Sequence, residues 1–415
     1  MVPRFSRPLL YITRGGIFLV GGVKVNFQAA NRIKKMPVNF FAELDQQIAA
    51  VNVKTRNVID LSKGNPDIPT PNHIVESLKD AVSKKENQKY TPFKGKEGFR
   101  KAIQNFYQRQ YNAQIDVNRE IAIFHGAVVG INAVPQVLLD PGDYVITTDP
   151  CYPEYETTVS LAGGRIYKLP LLQTNGYLPD YAQIPNEILA KAKILLLNYP
   201  NNPTGAVASA SFFASSLSFA REKNLLLVND FAYASLGFDK APVSLMSCPG
   251  AKENALEIYT LSKTYSMAGW RVGFAVGNAS VIEALNKYLA HGHSTVFGAV
   301  QDAASTALNS SQESSVEIKE EYQKRRNLLV SGLRKLNWSV EMTAGTFFVW
   351  VKIPVEYTSV SFAKLLLEKA QVAVAPGSGF GKYGEGYIRI SLVCELEKLE
   401  EVLQRLKILK LKEGF

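Results

Sequence analysis

Apolar and polar positions change rhythm along the chain, and each rhythm predicts a different kind of structure. Phe41, Leu44, Ile48 and Val51 recur at helical spacing from about Phe40; residues 59–71 then turn loop-like, broken by Gly64, Pro66, Pro69 and Pro71. Between about His73 and Val300, short apolar runs alternate with helical patterns, which argues a mainly parallel sheet covered by helices. Strands are expected at 121–124, 144–148, 193–198, 225–229 and 258–261, with a tight turn at His125-Gly126-Ala127 and a helix over 128–139 that runs through Pro135. After about Gln301 the texture becomes that of an α+β unit. A charged helix runs through Lys324-Arg325-Arg326, followed by an aromatic-rich strand over 346–353, a helix over 362–370, a strand over 372–375 and a glycine-rich loop over 377–386. In the strand over 387–392, Ile388, Ile390 and Leu392 share one face while Arg389 and Ser391 share the other. Leu396, Leu399, Leu403 and Leu406 form one stripe of a closing amphipathic helix.

Charge changes this picture at one end only. The net charge is +10, but residues 1–42 hold Arg4, Arg7, Arg14, Lys24, Arg32, Lys34 and Lys35 and no acid. The rest of the chain is electrostatically ordinary, which argues against a nucleic-acid partner. Residues 1–24 read as a disordered extension; a targeting leader or a start placed too early are the other readings. The apolar patch over 15–23 is far short of the ~18 to 20 residues a membrane span needs, so no membrane partner is expected. Cys151, Cys248 and Cys394 match no disulfide or metal spacing, and the four histidines give no ligand pattern. A reducing, cytoplasmic setting and no metal site are expected.

The candidate chemistry gathers at the strand ends. In open α/β sheets the carboxyl edge of the strands borders the ligand crevice. Lys263 stands in a small polar turn after a strand, with the hydroxyls of Thr260 and Ser262 beside it, Arg271 eight residues on, and Gly269 and Gly273 permitting close backbone approach. A lysine in a turn is ordinarily a solvated surface charge; an amine beside a phosphate site instead suits a covalent link to pyridoxal 5'-phosphate. Gly126-Ala127-Val128 opens a helix directly after a strand, so free amides there could hold a phosphate; Val128 brings no hydroxyl and would act through its backbone. Tyr152 is either a packed turn residue or a ring that stacks on a flat ligand. Asn202, in Asn201-Asn202-Pro203-Thr204-Gly205, is explained by a plain turn but also aims an amide at the crevice. Asp230 ends an apolar strand, where a carboxylate is costly unless it meets a cation such as a protonated pyridine nitrogen. Tyr233 could hydrogen-bond the ring oxygen, and Arg389 either pairs structurally or grips a substrate carboxylate.

Together, Asn202-Pro203-Thr204-Gly205, Asp230-Phe231-Ala232-Tyr233, Ser262-Lys263 with Arg271, and Tyr387-Ile388-Arg389-Ile390-Ser391 resemble the fold type I, class I/II pyridoxal phosphate aminotransferases over roughly residues 25 to 412. The resemblance implies an α/β fold: a large domain over 73–301 with a mainly parallel sheet of seven-stranded type, a small α+β domain over 302–415, and an arm over 25–72 completing the small domain. It implies that Lys263 carries the cofactor and moves the Cα proton, that Asp230 partners the pyridine nitrogen, and that Asn202 and Tyr233 partner the ring oxygen. Tyr152 becomes the stacking ring, and Ala127, Val128, Thr260, Ser262 and Arg271 the phosphate cradle. Arg389 becomes the substrate carboxylate site, Gly64 part of an N-terminal glycine loop that closes over substrate, and Asn202 a further substrate-binding residue. Tyr90, in Lys89-Tyr90-Thr91-Pro92-Phe93-Lys94-Gly95, resembles the tyrosine lent to a neighbouring subunit's phosphate, which implies a homodimer.

The implied reaction moves an amino group between an L-amino acid and a 2-oxo acid. The phrases around Asn202, Asp230 and Lys263 look most like bacterial aminotransferases acting on methionine-related or aromatic 2-oxo acids, so a neutral, apolar side chain is expected. A diaminopimelate-type aminotransferase, a carbon–sulfur β-lyase and an aminotransferase-like regulator are the rival readings.

Overall fold

The computed structural model describes residues 10–13, 16–19, 27–34, 36, 40–55, 57–407 and 409. Seven strands build the main sheet: β1 (Ile121–Phe124), β2 (Tyr144–Asp149), β3 (Arg165–Pro170), β4 (Ala192–Leu197), β5 (Leu226–Asp230), β6 (Ala255–Thr260) and β7 (Gly273–Gly277). Their order is β1-β7-β6-β5-β4-β2-β3. β7 runs antiparallel to both neighbours, and every other pairing is parallel. The mixed, mostly parallel sheet is thus of the expected class.

The strands read as apolar runs because helices cover both faces. Alternate residues of one strand serve opposite cores. Leu195, Leu197 and Leu227 pack with α2 (Glu97–Tyr111), α5 (Ala210–Glu222) and α7 (Gly298–Asn309). Ile194, Leu196 and Val228 pack with α3 (Ala127–Leu138), α4 (Glu154–Leu161) and α6 (Ala279–Gly292).

A smaller antiparallel sheet, in the order β8-β10-β9, joins β8 (Phe348–Lys352), β9 (Ala375–Pro376) and β10 (Tyr387–Ser391). Its core is shared with α8 (Glu313–Lys335), α9 (Ser359–Leu365) and α10 (Leu396–Leu406), the last through Leu399, Val402, Leu403 and Leu406. The helix α1 (Phe40–Thr55) lays Leu44 and Ile48 against Trp350, Leu367 and Phe380.

Several local expectations change. Two strands of the main sheet escaped prediction: β7, a short Gly-Phe-Ala-Val-Gly run bounded by glycines, and β3, which is the sheet edge, alternates charged and apolar residues, Arg-Ile-Tyr-Lys-Leu-Pro, and has one strand neighbour only. The expected helix over 362–370 begins earlier, because Thr358 and Ser361 form a reciprocal capping box, and it loosens into a π turn over Leu366–Ala370. The expected strand over 372–375 is two short pieces in different sheets: Val372–Ala373 pairs with Ile59–Asp60, while β9 pairs with β10. Lys263 sits in a single helical turn, Leu261–Thr264, rather than an open turn.

Residues 1–37 form a separate unit. In it Leu10–Thr13 pairs antiparallel with Gly16–Leu19; the remainder of the expected extension over 1–24 lies outside the described residues. Among the described residues, no helix is long and apolar enough to cross a membrane.

Candidate active site

The carboxyl edge of the main sheet opens on a cavity of about 450 Å³. Its lining includes every sequence-predicted site residue except Tyr90: Gly64, Ala127, Val128, Tyr152, Asn202, Asp230, Tyr233, Thr260, Ser262, Lys263, Arg271 and Arg389. Tyr90 lies on the surface, 97% exposed and away from the cavity.

Five strand ends of the main sheet, those of β1, β2, β4, β5 and β6, and one strand of the smaller sheet deliver most of these groups. Thr260 ends β6 and caps the turn that carries Lys263: its Oγ1 accepts the Ser262 amide at 3.1 Å and donates to Ser262 Oγ at 2.9 Å. The Lys263 ammonium donates to the Gly64 carbonyl at 2.7 Å and lies 5.2 Å from the Phe347 ring. Burial, then the Arg389 and Arg271 charges, lower its pKa to about 8. Asp230 ends β5. Its Oδ2 accepts the Tyr155 hydroxyl at 2.7 Å, while Oδ1 is buried with no hydrogen-bond partner. Burial raises the Asp230 pKa to about 6, with the Tyr155 hydrogen bond the main opposing influence.

At the other side of the cavity, β1 runs through Gly126 into α3. Gly126 has φ +81, and a Cβ there would stand 2.5 Å from Arg271 Nη2. Glycine is therefore what lets the guanidinium reach the amino end of α3, where backbone N–H groups are unmatched. Arg271 is itself held by donating to the Ala268 carbonyl at 2.9 Å. The hydroxyl-bearing Thr260 and Ser262 line the same cavity as Arg271.

Arg389 projects from β10 and is fully buried, with no carboxylate partner among the described residues. Nη1 donates to Asn202 Oδ1 at 2.8 Å, Nη2 to the Ser62 carbonyl at 2.7 Å, and Nε has no partner. Its guanidinium carbon lies 3.8 Å from the Phe348 ring centroid, 4.5 Å from Phe380 and 5.6 Å from Phe41. Burial lowers its pKa to about 10, against the pull of the Tyr233 and Tyr152 hydroxyls.

Sequence reading missed the residues that hold these groups in place. Tyr155, one helical turn beyond Tyr152, orients Asp230, and that i, i+3 spacing was available as a signal. Asn198 joins two strand ends: its Nδ2 donates to the Asp230 carbonyl at 2.7 Å, and its Oδ1 accepts the Asn202 amide at 2.9 Å. The aromatic box around Arg389 and the Lys63–Asp45 pair at the cavity mouth gave no local pattern.

This constellation is that of a transaminase fold, and the chain belongs to the corresponding family: residues 56–406 match the model described as aminotransferase class I and II. Members of that family depend on pyridoxal phosphate. Among individual proteins, the chain is 46% identical over 388 residues to the L-glutamine--4-(methylsulfanyl)-2-oxobutanoate aminotransferase of Bacillus subtilis (strain 168), covering 93% of this chain and 98% of that one. It is 42% identical over 382 residues to the LL-diaminopimelate aminotransferase of Moorella thermoacetica, covering 92% and 98%. The substrate-bound structure of BacF from Bacillus subtilis superposes with a TM-score of 0.90 at 40% identity, covering 94% of this chain and all of that one.

The unmatched groups fit pyridoxal phosphate. The orphaned Asp230 Oδ1 suits a protonated pyridine nitrogen, the Lys263 amine with its lowered pKa suits an aldehyde, and the Arg271–Gly126 cradle suits a phosphate.

Proposed function

We propose that this aminotransferase carries pyridoxal phosphate on Lys263 and moves the amino group between an L-amino acid with a neutral, methionine-like or aromatic side chain and a 2-oxo acid. The observation that carries this reading is Arg389, a buried cation without an acid partner, facing the same cavity as Lys263 and Asp230. Phe41, Ile131 and Phe348 give the remaining wall its apolar character. The name of the Bacillus relative, with its methylsulfanyl substrate, points the same way. The 42% identical diaminopimelate enzyme supports the second reading, a longer substrate with a distal amino-acid end.

Bound in this site, pyridoxal phosphate supplies a carbonyl that takes up the amino group and a ring that accepts electrons from the substrate Cα. Arg271, Thr260, Ser262 and the amides of Ala127 and Val128 hold the phosphate dianion. Tyr152 covers one face of the ring, and Asn202 and Tyr233 serve its oxygen. Asp230, ionised above its pKa of about 6, keeps a proton on the ring nitrogen. Arg389 binds the substrate α-carboxylate in a two-pronged bond and so fixes which Cα substituent faces Lys263. Lys263, with its pKa near 8, is partly neutral at physiological pH; it takes the Cα proton as a base and returns it as an acid. Gly64, whose carbonyl holds the Lys263 amine, lines the side over which substrate enters.

The enzyme is proposed to work as a cytoplasmic homodimer that lends Tyr90 to the neighbouring phosphate site. Tyr90, Phe93 and Phe297 are 97%, 69% and 45% exposed, and Thr91 ties the two segments together by donating to the Val296 carbonyl at 3.2 Å. An apolar surface of this kind suits a subunit contact. Three free cysteines suit a reducing compartment.

The test is the visible absorption of the purified protein, alone and with methionine, phenylalanine, glutamine, glutamate, aspartate or LL-diaminopimelate, with Lys263→Ala alongside. A cofactor band that responds to neutral amino acids and is altered in the variant supports the reading. A response confined to diaminopimelate selects the second reading, and no band after addition of pyridoxal phosphate overturns both.

A further inference from the structure

With the α-carboxylate assigned to Arg389, one path for the substrate side chain leads along α1, whose Phe41 and Asp45 both line the cavity. It runs past Phe41, whose ring lies 5.6 Å from the Arg389 guanidinium, toward the mouth. Asp45 stands on the same face of α1 as Phe41, four residues on and roughly 6 Å along the axis. Asp45, Lys63 and Asn65 all line the cavity.

The cations that line this cavity are Lys63, Lys263, Arg271 and Arg389. On the proposed reading the last three serve the cofactor and the α-carboxylate, so among the described cations that one chain brings to the lining, Lys63 remains for a distal anion. It is already matched: Lys63 Nζ lies 2.6 Å from Asp45 Oδ1 and 3.7 Å from Asp60 Oδ2. Two carboxylates face one ammonium, so this trio carries a net negative charge, with Lys63 and Asp45 its members in the cavity lining. Asp60 is held in place, its Oδ1 accepting the Ser62 amide at 2.9 Å. Asp45 is the free member of the trio, on the helix that borders the entrance.

We propose that Asp45 is a specificity-determining residue: by occupying Lys63, it makes the enzyme reject substrates whose side chain ends in a carboxylate and admit those whose side chain is neutral overall. A distal carboxylate would have to displace Asp45 and then lie beside two aspartates around a single cation, a like-charge placement of the kind that specificity is built from. A thioether, an aromatic ring or an amide leaves the ion pair intact. A distal end bearing both ammonium and carboxylate exchanges one pair for two and is admitted as well. The inference rests on reading Arg389 as the α-carboxylate site.

The experiment uses the holoenzyme and two inert acids of equal length, hexanoate and adipate, whose dissociation constants are read from their competition with the amino substrate and from the shift each causes in cofactor absorption. The wild type is expected to bind hexanoate at least about tenfold more tightly than adipate, Asp45→Asn to narrow that ratio by about tenfold through tighter adipate binding, and Asp45→Asn/Lys63→Met to restore it. A ratio in Asp45→Asn within about twofold of the wild type overturns the proposal, as does a wild type that prefers adipate or a double variant that keeps it. If no amino acid converts the cofactor, the transaminase reading falls, while the ratio of the two inert acids still decides the role of Asp45.

Discussion

At the back of the cavity, Asp230 and Arg389 are buried and Lys263 is half-buried, and the three form no ion pair with one another; at its mouth, Lys63 and Asp45 are each 47% exposed and sit 2.6 Å apart. The buried set departs from ordinary ionisation in every member: the carboxyl is raised, the ammonium and guanidinium are lowered, and burial is the first cause each time. At the mouth, the hydrogen bond from Lys63 to Asp45 instead holds the ammonium above its usual pKa. Buried, unmatched charge costs stability until a ligand supplies the counter-charge, whereas an exposed pair contributes little to folding and is available for choosing among ligands. On the proposed reading, chemistry and selection are placed where their different costs can be carried.

The contrast is broken most severely at the back. Asp230→Asn removes the anion that favours a protonated ring and is expected to lower kcat/KM on the order of 10³-fold; steady-state assays with the best substrate of the panel measure this. Arg389→Met removes a charged two-pronged contact and should lower kcat/KM by about 10²- to 10³-fold, with KM carrying much of the change.

A third effect concerns the protein without its cofactor. The Asp230 pKa in the folded chain is raised from 3.8 to about 6, so its favourable contribution is present in acid and is lost as pH rises through about 6. Cofactor-free Asp230→Asn should therefore be more stable than the wild type by about 2–3 kcal/mol at pH 8. That advantage should shrink as pH falls toward 4, and denaturant titrations across pH measure it. At the mouth, Asp45→Asn should change stability by no more than about 0.5 kcal/mol in the same titrations. A large loss there would mean that the exposed pair is structural after all.

The same contrast governs what could be read from sequence. Strand ends were legible because a parallel sheet covered on both faces reads as unbroken apolar text, so Asp230 after Leu226–Asn229 or Ser262-Lys263 after β6 stands out as an interruption. The edge strand β3, solvated and paired on one side, offers no such contrast. Nor could sequence show that Phe41, Phe348 and Phe380 enclose Arg389, because the three rings come from α1, β8 and a loop far apart in the chain. Asp45 and Lys63 look like ordinary surface charges on a helix and a loop until folding sets them at one entrance. Tyr155 differs: its spacing from Tyr152 was visible, but the sequence does not say which face of that helix turns inward.

The position of β7 has a consequence for how the chain is made. The first strand of the main sheet to be synthesised, β1, has β7 as its single strand neighbour, and β7 is the last of the seven to be made. At ordinary elongation rates β1 therefore waits roughly ten to thirty seconds on the ribosome before its partner emerges. Through that interval Gly126 and the start of α3 have been translated but lack the Arg271 that packs against them. Chains cut short before Gly273 keep β1 as a bare edge, the kind of surface that recruits other chains, and so should aggregate or be degraded rather than persist as folded fragments.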